Sequence, residues 1–230
     1  MKVRTAPAST ALDAMAVLAD DVTVRCDAEG WHMMAWSRDR VSVLAADVLP
    51  ASVTDPEDVS FTIPATQLSS ALKRAGAEAE VTVGDGRLTV IGEVTTRLAQ
   101  LAPAEEARKM PQLDMDASAV IPVDRLRAVA AGAPKGVDQV WISVGGGAEV
   151  AVTDDAGLGA SVTLSQEEAM SDGEAKGAYP LSHLMELVKV LPRGSSVSIS
   201  LSTDRPMELT MAQEGWSARA MVAPRIVSEE

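Results

Sequence analysis

The sequence predicts an α+β fold, in which antiparallel sheets form most of the protein and a few helices interrupt them. Most of the 230 residues alternate apolar and polar side chains, as Val140, Ile142 and Val144 do, and this period of two is typical of strands with one buried face. Turn signals such as Gly84-Asp85-Gly86 separate these stretches and favour antiparallel hairpins. Four segments with helical spacing break the alternation.

The four helical segments have recognisable starts. The first begins near Ser9 or Thr10, which are favourable N-caps, and continues through Leu18. Each of the other three begins at a proline, which the first helical turn tolerates because its N–H is not needed there. These three segments are residues 64–76, 122–134 and 180–192.

The two halves of the chain repeat the same order of predicted elements. The matched positions lie 116 residues apart: Pro64, Leu68, Leu72 and Lys73 recur as Pro180, Leu184, Val188 and Lys189. Collinear matches at one offset indicate a duplicated domain, and two unrelated halves with coincidental matches are the alternative. The predicted domains are residues 1–102 and 119–230, joined by a connecting loop at 103–118. Apolar residues in this loop indicate either a strand beside an apolar groove or simple anchoring.

The composition narrows the class of protein. There are 33 acidic and 20 basic residues, a net charge of −13, which by itself argues against binding to phosphates. Cys26 is the single cysteine and excludes an intramolecular disulfide, while His32 and His183 are too few for a zinc cluster with it. No apolar run is long enough to span a membrane, and no signal peptide precedes the first helix. The sequence therefore predicts a soluble intracellular protein.

Several stretches resemble sliding DNA clamps of the PCNA type. The tail Met221-Val222-Ala223-Pro224-Arg225-Ile226 is similar to the ending of these proteins, and residues 179–209 follow their second-domain pattern in order. The loop with Pro111, Leu113 and Asp114 resembles their interdomain connector. The resemblance covers nearly the whole chain, is most specific in the C-terminal third, and is closest in character to archaeal members of the family.

The resemblance implies the DNA-clamp fold. In this family each of two similar domains packs two helices on antiparallel sheet, and three subunits close head-to-tail into a ring whose helices line the hole. It implies that the strand near residues 95–101 of one subunit pairs with the strand near residues 161–164 of the next, which covers two exposed edges. The implied function is that of a homotrimeric processivity factor that encircles duplex DNA in replication and repair. A non-sliding or heteromeric clamp paralogue, acting as a partner-binding scaffold, is the alternative.

The charge is unevenly distributed along the chain. The segments 64–76, 122–136 and 180–193 together carry +5, whereas the remainder carries −18. Their bases are the predicted DNA-facing residues: Lys73, Arg74, Arg125, Arg127, Lys135, Lys189 and Arg193. Positive helices around a hole could meet phosphates without reading bases, although basic residues also commonly decorate the solvent face of helices. The first helix has Asp13 and Asp20 but no base, which predicts weak DNA contact there.

The resemblance also places a site for partner proteins. Clamps of this family bind short peptide motifs of DNA polymerase, nuclease and ligase under the connecting loop, and a clamp loader opens the ring. The implied pocket consists of Trp36, Val43, Met110, Leu113, Pro206, Ala223, Pro224 and Ile226. The family usually has Met and Asp where this chain has Trp36 and Ser37, and Trp36 as a core residue is the alternative.

The sequence predicts neither catalysis nor a cofactor. It contains no glycine-rich phosphate loop. The acidic pairs Asp154-Asp155 and Glu167-Glu168 leave a carboxylate-based metal enzyme as a distant alternative, but adjacent acids in so acidic a chain are typical of solvated turns. We therefore expect no catalytic or metal-binding residues. In an archaeal cell the protein is expected in the cytoplasm, associated with the nucleoid, and in a eukaryotic cell in the nucleus.

Overall fold

The computed structural model describes residues 1–102 and 110–225. The described chain divides into two compact units. The first is formed by residues 1–102, 110 and 212–219, and the second by residues 111–211 and 220–225. Among the described helices, none combines the length and apolar character needed to cross a membrane.

The first unit contains two helices and nine strands between residues 1 and 102. In chain order these are β1 (Lys2–Arg4), α1 (Thr5–Leu18), β2 (Asp21–Asp27), β3 (Gly30–Trp36), β4 (Ser42–Val48), β5 (Val53–Thr54), β6 (Val59–Pro64), α2 (Ala65–Arg74), β7 (Glu78–Gly84), β8 (Arg87–Ile91) and β9 (Thr96–Ala99). One sheet has the order β5-β1-β7-β8-β9, and the strands β4-β3-β2-β6 form a second antiparallel array.

The second half of the chain contains three helices and nine strands. They are β10 (Ala117–Pro122), α3 (Val123–Ala131), β11 (Val140–Val144), β12 (Gly147–Thr153), β13 (Gly159–Ser165), α4 (Gln166–Ala169), β14 (Asp172–Gly173), β15 (Ala175–Tyr179), α5 (Leu181–Lys189), β16 (Ser196–Leu201), β17 (Met207–Gln213) and β18 (Trp216–Val222). The strand orders are β14-β10-β16-β17-β18 and β13-β12-β11-β15.

The two halves have the same topology. With the four-residue α4 set aside, the order of helices and strands from β1 to β9 is repeated from β10 to β18. Within each half of the chain the strands have the same neighbours as their counterparts, so that β5-β1-β7-β8-β9 corresponds to β14-β10-β16-β17-β18. Helix α1 corresponds to α3, and α2 to α5. The internal duplication predicted from the sequence is confirmed by this correspondence, whereas the exact domain boundaries stay a prediction.

The core is aliphatic, as the low aromatic content requires. Strands such as β16 bury every second residue, namely Val197, Ile199 and Leu201. The core also contains a few aromatic residues. The rings of the buried Trp31 and Phe61 pack edge to face, with 6.2 Å between their centroids. The predicted hairpin at residues 84–86 is confirmed, because Asp85 and Gly86 both have the positive φ angles that a tight two-residue turn between right-twisted strands requires.

The helices differ from the prediction at their ends. Helix α1 begins at Thr5 rather than near Ser9 or Thr10, whose hydroxyls instead donate to the carbonyl of Ala6 inside the helix. Helices α3 and α5 end at Ala131 and Lys189, several residues before the predicted ends.

The prolines at the helix starts occupy a different position from the one predicted. Pro64, Pro122 and Pro180 are the N-cap residues and have extended backbone conformations. Pro64 and Pro122 are also the last residues of their strands, so each proline forms a direct strand-to-helix junction.

His32 on β3 lies between two carboxylates on the neighbouring strands. Its Nδ1 atom is 2.8 Å from Asp47 on β4, and its Nε2 atom is 3.1 Å from Asp27 on β2. Burial alone would lower the pKa of His32, but hydrogen bonds to Asp47 and Asp27, together with their charges, outweigh it and raise the pKa. The pKa of Asp27 is lowered, first by the N–H of Glu29 and then by His32.

This arrangement should make part of the stability depend on pH. A group whose pKa is raised by folding contributes fully below its unfolded pKa of 6.5 and loses that contribution as the pH rises through the folded pKa. We expect His32→Ala to lower the free energy of unfolding more at about pH 5.5 than at about pH 8.5, as measured by urea denaturation. Arg87→Ala, an exposed position on β8 in the other sheet of the first unit, is the control without this pH dependence. Equal losses for His32→Ala at the two pH values would contradict the interpretation.

Candidate functional site

The first two predicted DNA-facing residues lie at the end of α2. Lys73 and Arg74 are the last residues of the helix and both are exposed. The Lys73 ammonium donates to Oδ2 of Asp13 on α1 at 2.6 Å, and the Ser69 hydroxyl donates to Oδ1 of the same carboxylate at 2.6 Å. Asp13 therefore joins the two helices of the first unit and compensates the charge of Lys73.

The helix pair of the second unit is joined by a base instead. The guanidinium of Arg127 on α3 donates to the carbonyls of Val188, Lys189 and Leu191 at 3.0, 3.3 and 2.6 Å. These carbonyls lie at the C-terminal end of α5, where a cation satisfies unpaired acceptors and the helix dipole. Asp124 on α3 also accepts from the N–H of Gly194, after α5, at 3.0 Å. Arg127 thus has a structural role, and its contact with DNA stays a prediction.

The other predicted DNA-facing residues are exposed. Arg125 lies on α3 and Lys189 ends α5, whereas Lys135 and Arg193 lie in the turns that follow these helices rather than in the helices themselves. Within residues 1–102 and 110–225, no ion pair is formed by Arg74, Lys135, Lys189 or Arg193. Their charges are therefore available to an anion in solution, and contact with DNA stays a prediction.

The strand β9 forms one edge of its sheet. The N–H of Gln100 donates to the carbonyl of Gly86 at 2.9 Å, on the side of β8. Because N–H groups alternate sides along an antiparallel strand, those of Arg97 and Ala99 point away from β8. The strand therefore presents backbone donors and acceptors on its outer side.

The strand β13 forms an edge of a sheet in the second unit. The N–H of Asp154 donates to the carbonyl of Leu158 at 2.9 Å, so these two residues form a hydrogen-bonded pair next to the turn. Along β13, successive N–H groups point alternately toward β12 and away from it. Counting from this pair along the register, the N–H groups of Ser161 and Thr163 point away from β12. These are the two strands that the sequence resemblance assigns to the subunit interface.

Exposed apolar side chains concentrate beside these two edges. In the described part of the chain the exposed large apolar residues are Leu49, Ile91, Val94, Leu101, Leu158 and Met170. Val94 and Leu101 lie two residues before and two residues after β9, Ile91 ends the neighbouring strand β8, and Leu158 and Met170 flank the segment of β13 and α4. Leu158 and Met170 are each 67% exposed. Solvent-facing apolar groups next to an unpaired edge are typical of a surface that another chain covers.

Two of the predicted peptide-pocket residues of the first unit lie near strand ends, whereas Met110 lies outside the strands. Trp36 ends β3 and pairs with the buried Val43 on β4. The Trp36 side chain is half-buried, and its indole N–H has no hydrogen-bond partner among the described residues. Nε of Arg219 donates a hydrogen bond to the sulfur of Met110 at 3.1 Å.

The pocket residues of the second unit cluster around the tail. Leu113, Pro206, Ala223 and Pro224 are all half-buried, whereas Ile226 lies outside the described residues, as do residues 103–109 of the connecting loop predicted at 103–118. The tail is held at Arg225, whose N–H donates to the carbonyl of Ala178 at 2.8 Å and whose guanidinium donates to Asp138 at 2.8 Å.

Asp138 links this tail to a helix start. The N–H of Ser182, in the first turn of α5, donates to Asp138 Oδ1 at 2.6 Å, and the Ser182 hydroxyl donates to Oδ2 at 3.0 Å. Because Pro180 cannot cap α5 with its own side chain, Asp138 supplies the carboxylate that helix starts favour. The tail and α5 therefore share one anchoring residue. Whether the residues of the two units form one pocket stays a prediction.

The acidic pairs have structural roles. Asp154 accepts from the N–H groups of Ala156 and Leu158 in the turn before β13, and Glu168 forms a capping box with Ser165 at the start of α4. In the described ranges no three His, Cys, Asp or Glu side chains are grouped to hold a metal ion. Burial raises the pKa of Cys26 to about 12, so the thiol stays protonated and is a poor nucleophile.

Comparison with known proteins identifies the fold. No protein-family model matches the chain. The DNA polymerase sliding clamp of Methanothermobacter thermautotrophicus is 26% identical over 234 residues, covering 96% of this chain and 95% of the relative. The DNA polymerase sliding clamp of Natronomonas pharaonis is 25% identical over 235 residues, covering 95% of each chain.

Solved structures agree over the whole length. The PCNA of A. fulgidus, with the C-terminal region of FEN-1 bound to it, superimposes with a TM-score of 0.87 at 22% identity, covering 99% of this chain and 98% of the other. This chain has the PCNA-type sliding-clamp fold. A chain of the PCNA2–PCNA3 complex from Sulfolobus tokodaii gives a TM-score of 0.79 at 18% identity, covering 97% and 98% of the two chains. The resemblance noted in the sequence is confirmed.

Within this fold, sequence reasoning missed three contacts that organise the helix faces and the tail. They are Asp13 with Lys73, Arg127 with the end of α5, and Asp138 with Arg225. Each joins residues about 60 or more positions apart in the chain, so no local pattern marks the pairing. The one visible signal was Asp13, an acidic residue on a first helix that carries no basic residue.

Proposed function

We propose that the protein is a sliding clamp that encircles duplex DNA as a homotrimeric ring and acts as a processivity factor for replication and repair enzymes. The observation that supports this most strongly is the PCNA-type fold over 99% of the chain, together with two curated relatives named DNA polymerase sliding clamp. A clamp acts as a scaffold rather than an enzyme, in keeping with the structural roles of the acidic pairs. In an archaeal cell it would act in the cytoplasm, at the nucleoid.

The ring is proposed to form through the two free sheet edges. Strand β9 of one subunit would add to β13 of the next, so that each copy uses one edge of each kind and the association is head-to-tail. The outward N–H groups on both strands and the exposed apolar residues beside them support this pairing. The ring must close, since a heterologous contact that does not close would give a filament, and closure after three copies is what the resemblance implies.

The chemistry of DNA contact is proposed to be non-specific. Exposed Arg and Lys side chains on α2, α3, α5 and the turns after them would meet phosphates and would not read bases. Weak contacts suffice because encirclement keeps the clamp on DNA and makes binding of an attached enzyme effectively intramolecular. The acidic remainder of the chain would repel DNA elsewhere.

Partner enzymes are proposed to bind at the tail and the connecting loop. The A. fulgidus structure has the C-terminal region of FEN-1 bound to its PCNA, which supports a peptide-binding role for the same fold here. DNA polymerase, nuclease, ligase and clamp loader would each present a short motif to the half-buried residues around Trp36 and Pro224. We retain residues 1–102 and 119–230 as the two clamp domains and 103–118 as the connector.

A retention experiment tests the topological mechanism. Clamp loaded by a clamp loader onto nicked circular DNA should stay bound after gel filtration in high salt, and cutting the circle should release it within minutes. Encirclement requires this difference, because a linear molecule has ends over which the ring can slide. Equal retention on circular and linear DNA would contradict encirclement.

A heteromeric clamp subunit is the second candidate. It is supported by the likeness to a chain of the PCNA2–PCNA3 complex, since the same fold occurs there in an assembly of different subunits. Native mass measurement at micromolar concentration separates the candidates. A homotrimer has three times the 24.0 kDa mass of the chain, whereas a heteromeric subunit stays below that mass without its partner.

A further inference from the structure

We infer that Asp13 withholds Lys73 from DNA and thereby weakens the contact that the first unit makes with the duplex. The inference rests on the proposed function, because it assumes that the end of α2 faces DNA. It assigns to Asp13 a role in setting DNA affinity that is opposite to that of the basic residues.

Both carboxylate oxygens of Asp13 accept hydrogen bonds from side chains on α2. Oδ2 accepts from the Lys73 ammonium at 2.6 Å and Oδ1 accepts from the Ser69 hydroxyl at 2.6 Å. The hydrogen bond from Ser69, whose side chain is buried, holds the carboxylate in position, so that the ion pair does not depend on two freely moving side chains. Asp13 and Lys73 remain 41% and 54% exposed, so a phosphate in solution could reach this site.

The surroundings offer no compensating cation on α1. The solvent-facing positions of this helix are Ala6, Thr10, Asp13, Ala16 and Val17, and Asp13 is the single charge among them. A phosphate approaching Lys73 must either displace Asp13 or bind beside its negative charge, and both lower the free energy gained from the contact. Arg74, one residue on, forms no described ion pair and remains the main cation of this helix end.

In the second half of the chain a basic residue, rather than an acidic one, joins the two helices. Where Asp13 on α1 joins α2, Arg127 on the corresponding helix α3 joins α5. The helices of the second unit are therefore joined by a cation, which also lies 3.8 Å from Asp124, whereas those of the first unit are joined by an anion that pairs with Lys73. This contrast predicts unequal DNA affinity in the two units of one subunit.

The variant Asp13→Asn tests the inference in the full-length protein. Asparagine keeps an acceptor for Ser69 but loses the charge that pairs with Lys73. We expect the affinity for a short linear duplex to rise about two- to fivefold at low salt, and the slope of log K against log[salt] to become more negative by about one, as one additional phosphate contact requires. Fluorescence anisotropy at several salt concentrations measures both quantities.

Asp85→Asn is the control for net charge. It also removes one negative charge, from the exposed turn between β7 and β8, but in the described part of the chain Asp85 forms no ion pair, so its replacement releases no base. An equal gain in affinity for Asp85→Asn would attribute the effect to net charge alone and overturn the inference. A further check combines Asp13→Asn with Lys73→Ala, and the gain must then disappear. If the gain persists without Lys73, the inference is wrong.

The outcomes also separate this inference from the proposed function. If the unaltered protein fails the retention experiment on circular DNA, the proposed function fails and the assignment of the α2 end to DNA fails with it. If it passes that experiment and Lys73→Ala weakens binding, but Asp13→Asn does not strengthen it, only the role of Asp13 is overturned.

Discussion

Replacing Arg74, Lys189 and Arg193 by glutamate should abolish most of the affinity of the clamp for duplex DNA while leaving the protein folded. These three side chains are exposed, form no described ion pair and lie at helix ends, so their substitution removes no packing. Losing three phosphate contacts should reduce the steepness of log K against log[salt] by about three, and the introduced repulsion should lower affinity by at least about tenfold. Anisotropy with a short duplex measures the loss, and polymerase processivity should fall with it.

A charge-matched control distinguishes a DNA-binding face from net charge. Glutamate at Arg38, Arg87 and Arg205 makes the same change in charge at three exposed positions outside the helix ends. We expect this second triple variant to bind DNA with nearly unchanged affinity, because contacts rather than total charge determine binding at moderate salt. If the two triple variants lose affinity equally, the helix ends are not the DNA-facing surface.

The parts of the fold that the sequence predicted correctly are those with local causes. The hairpin at residues 84–86 follows from the need for positive φ at two adjacent residues, and aspartate and glycine meet that need at low cost. The alternation of apolar and polar residues along β16 correctly predicted which of its residues are buried, because one face of the strand contacts the core. The duplication was visible because the two copies keep the same helix starts.

The errors in the helix boundaries also have physical reasons. Ser9 and Thr10 resemble N-caps, but the backbone is already helical at Thr5, so their hydroxyls turn back to a carbonyl. Apolar spacing continues beyond Ala131 and Lys189, although the helices have ended there, because apolar residues in a following turn can also be buried, as Leu191 is. Helix α4 was missed, yet Ser165 and Glu168 form the capping-box spacing that marks a helix start.

The candidate site was predictable to the extent that it depends on exposure. Amphipathic spacing placed Arg74, Arg125 and Lys189 on the solvent side of their helices, where the structure has them. It could not reveal that Arg127 binds the end of α5 or that Asp13 holds Lys73, because these contacts depend on how two helices pack. Helical periodicity indicates which face of a helix is polar, but the partner of a polar group is set by tertiary structure.

Proline on the free edges should break the proposed ring into single subunits without unfolding them. Ala99→Pro and Thr163→Pro each remove an N–H that points away from the sheet, so the hydrogen bonds to β8 and β12 are kept. The same change removes a donor from the proposed β9–β13 contact and places a ring where the next strand must approach. We expect the concentration at which half of the rings dissociate to rise at least about tenfold for either variant, with thermal unfolding of the subunit nearly unchanged.

The matched controls keep the backbone N–H at the same positions. Ala99→Val and Thr163→Ala alter the side chains and leave the edge able to pair, so both should retain the mass of the trimer in native mass measurement. Each subunit contributes one edge of each kind, and therefore a mixture of Ala99→Pro and Thr163→Pro subunits should form only one intact contact per pair and should stop at dimers. A mixture that restores closed trimers would contradict head-to-tail pairing, because no arrangement of these two variants provides three intact β9–β13 contacts.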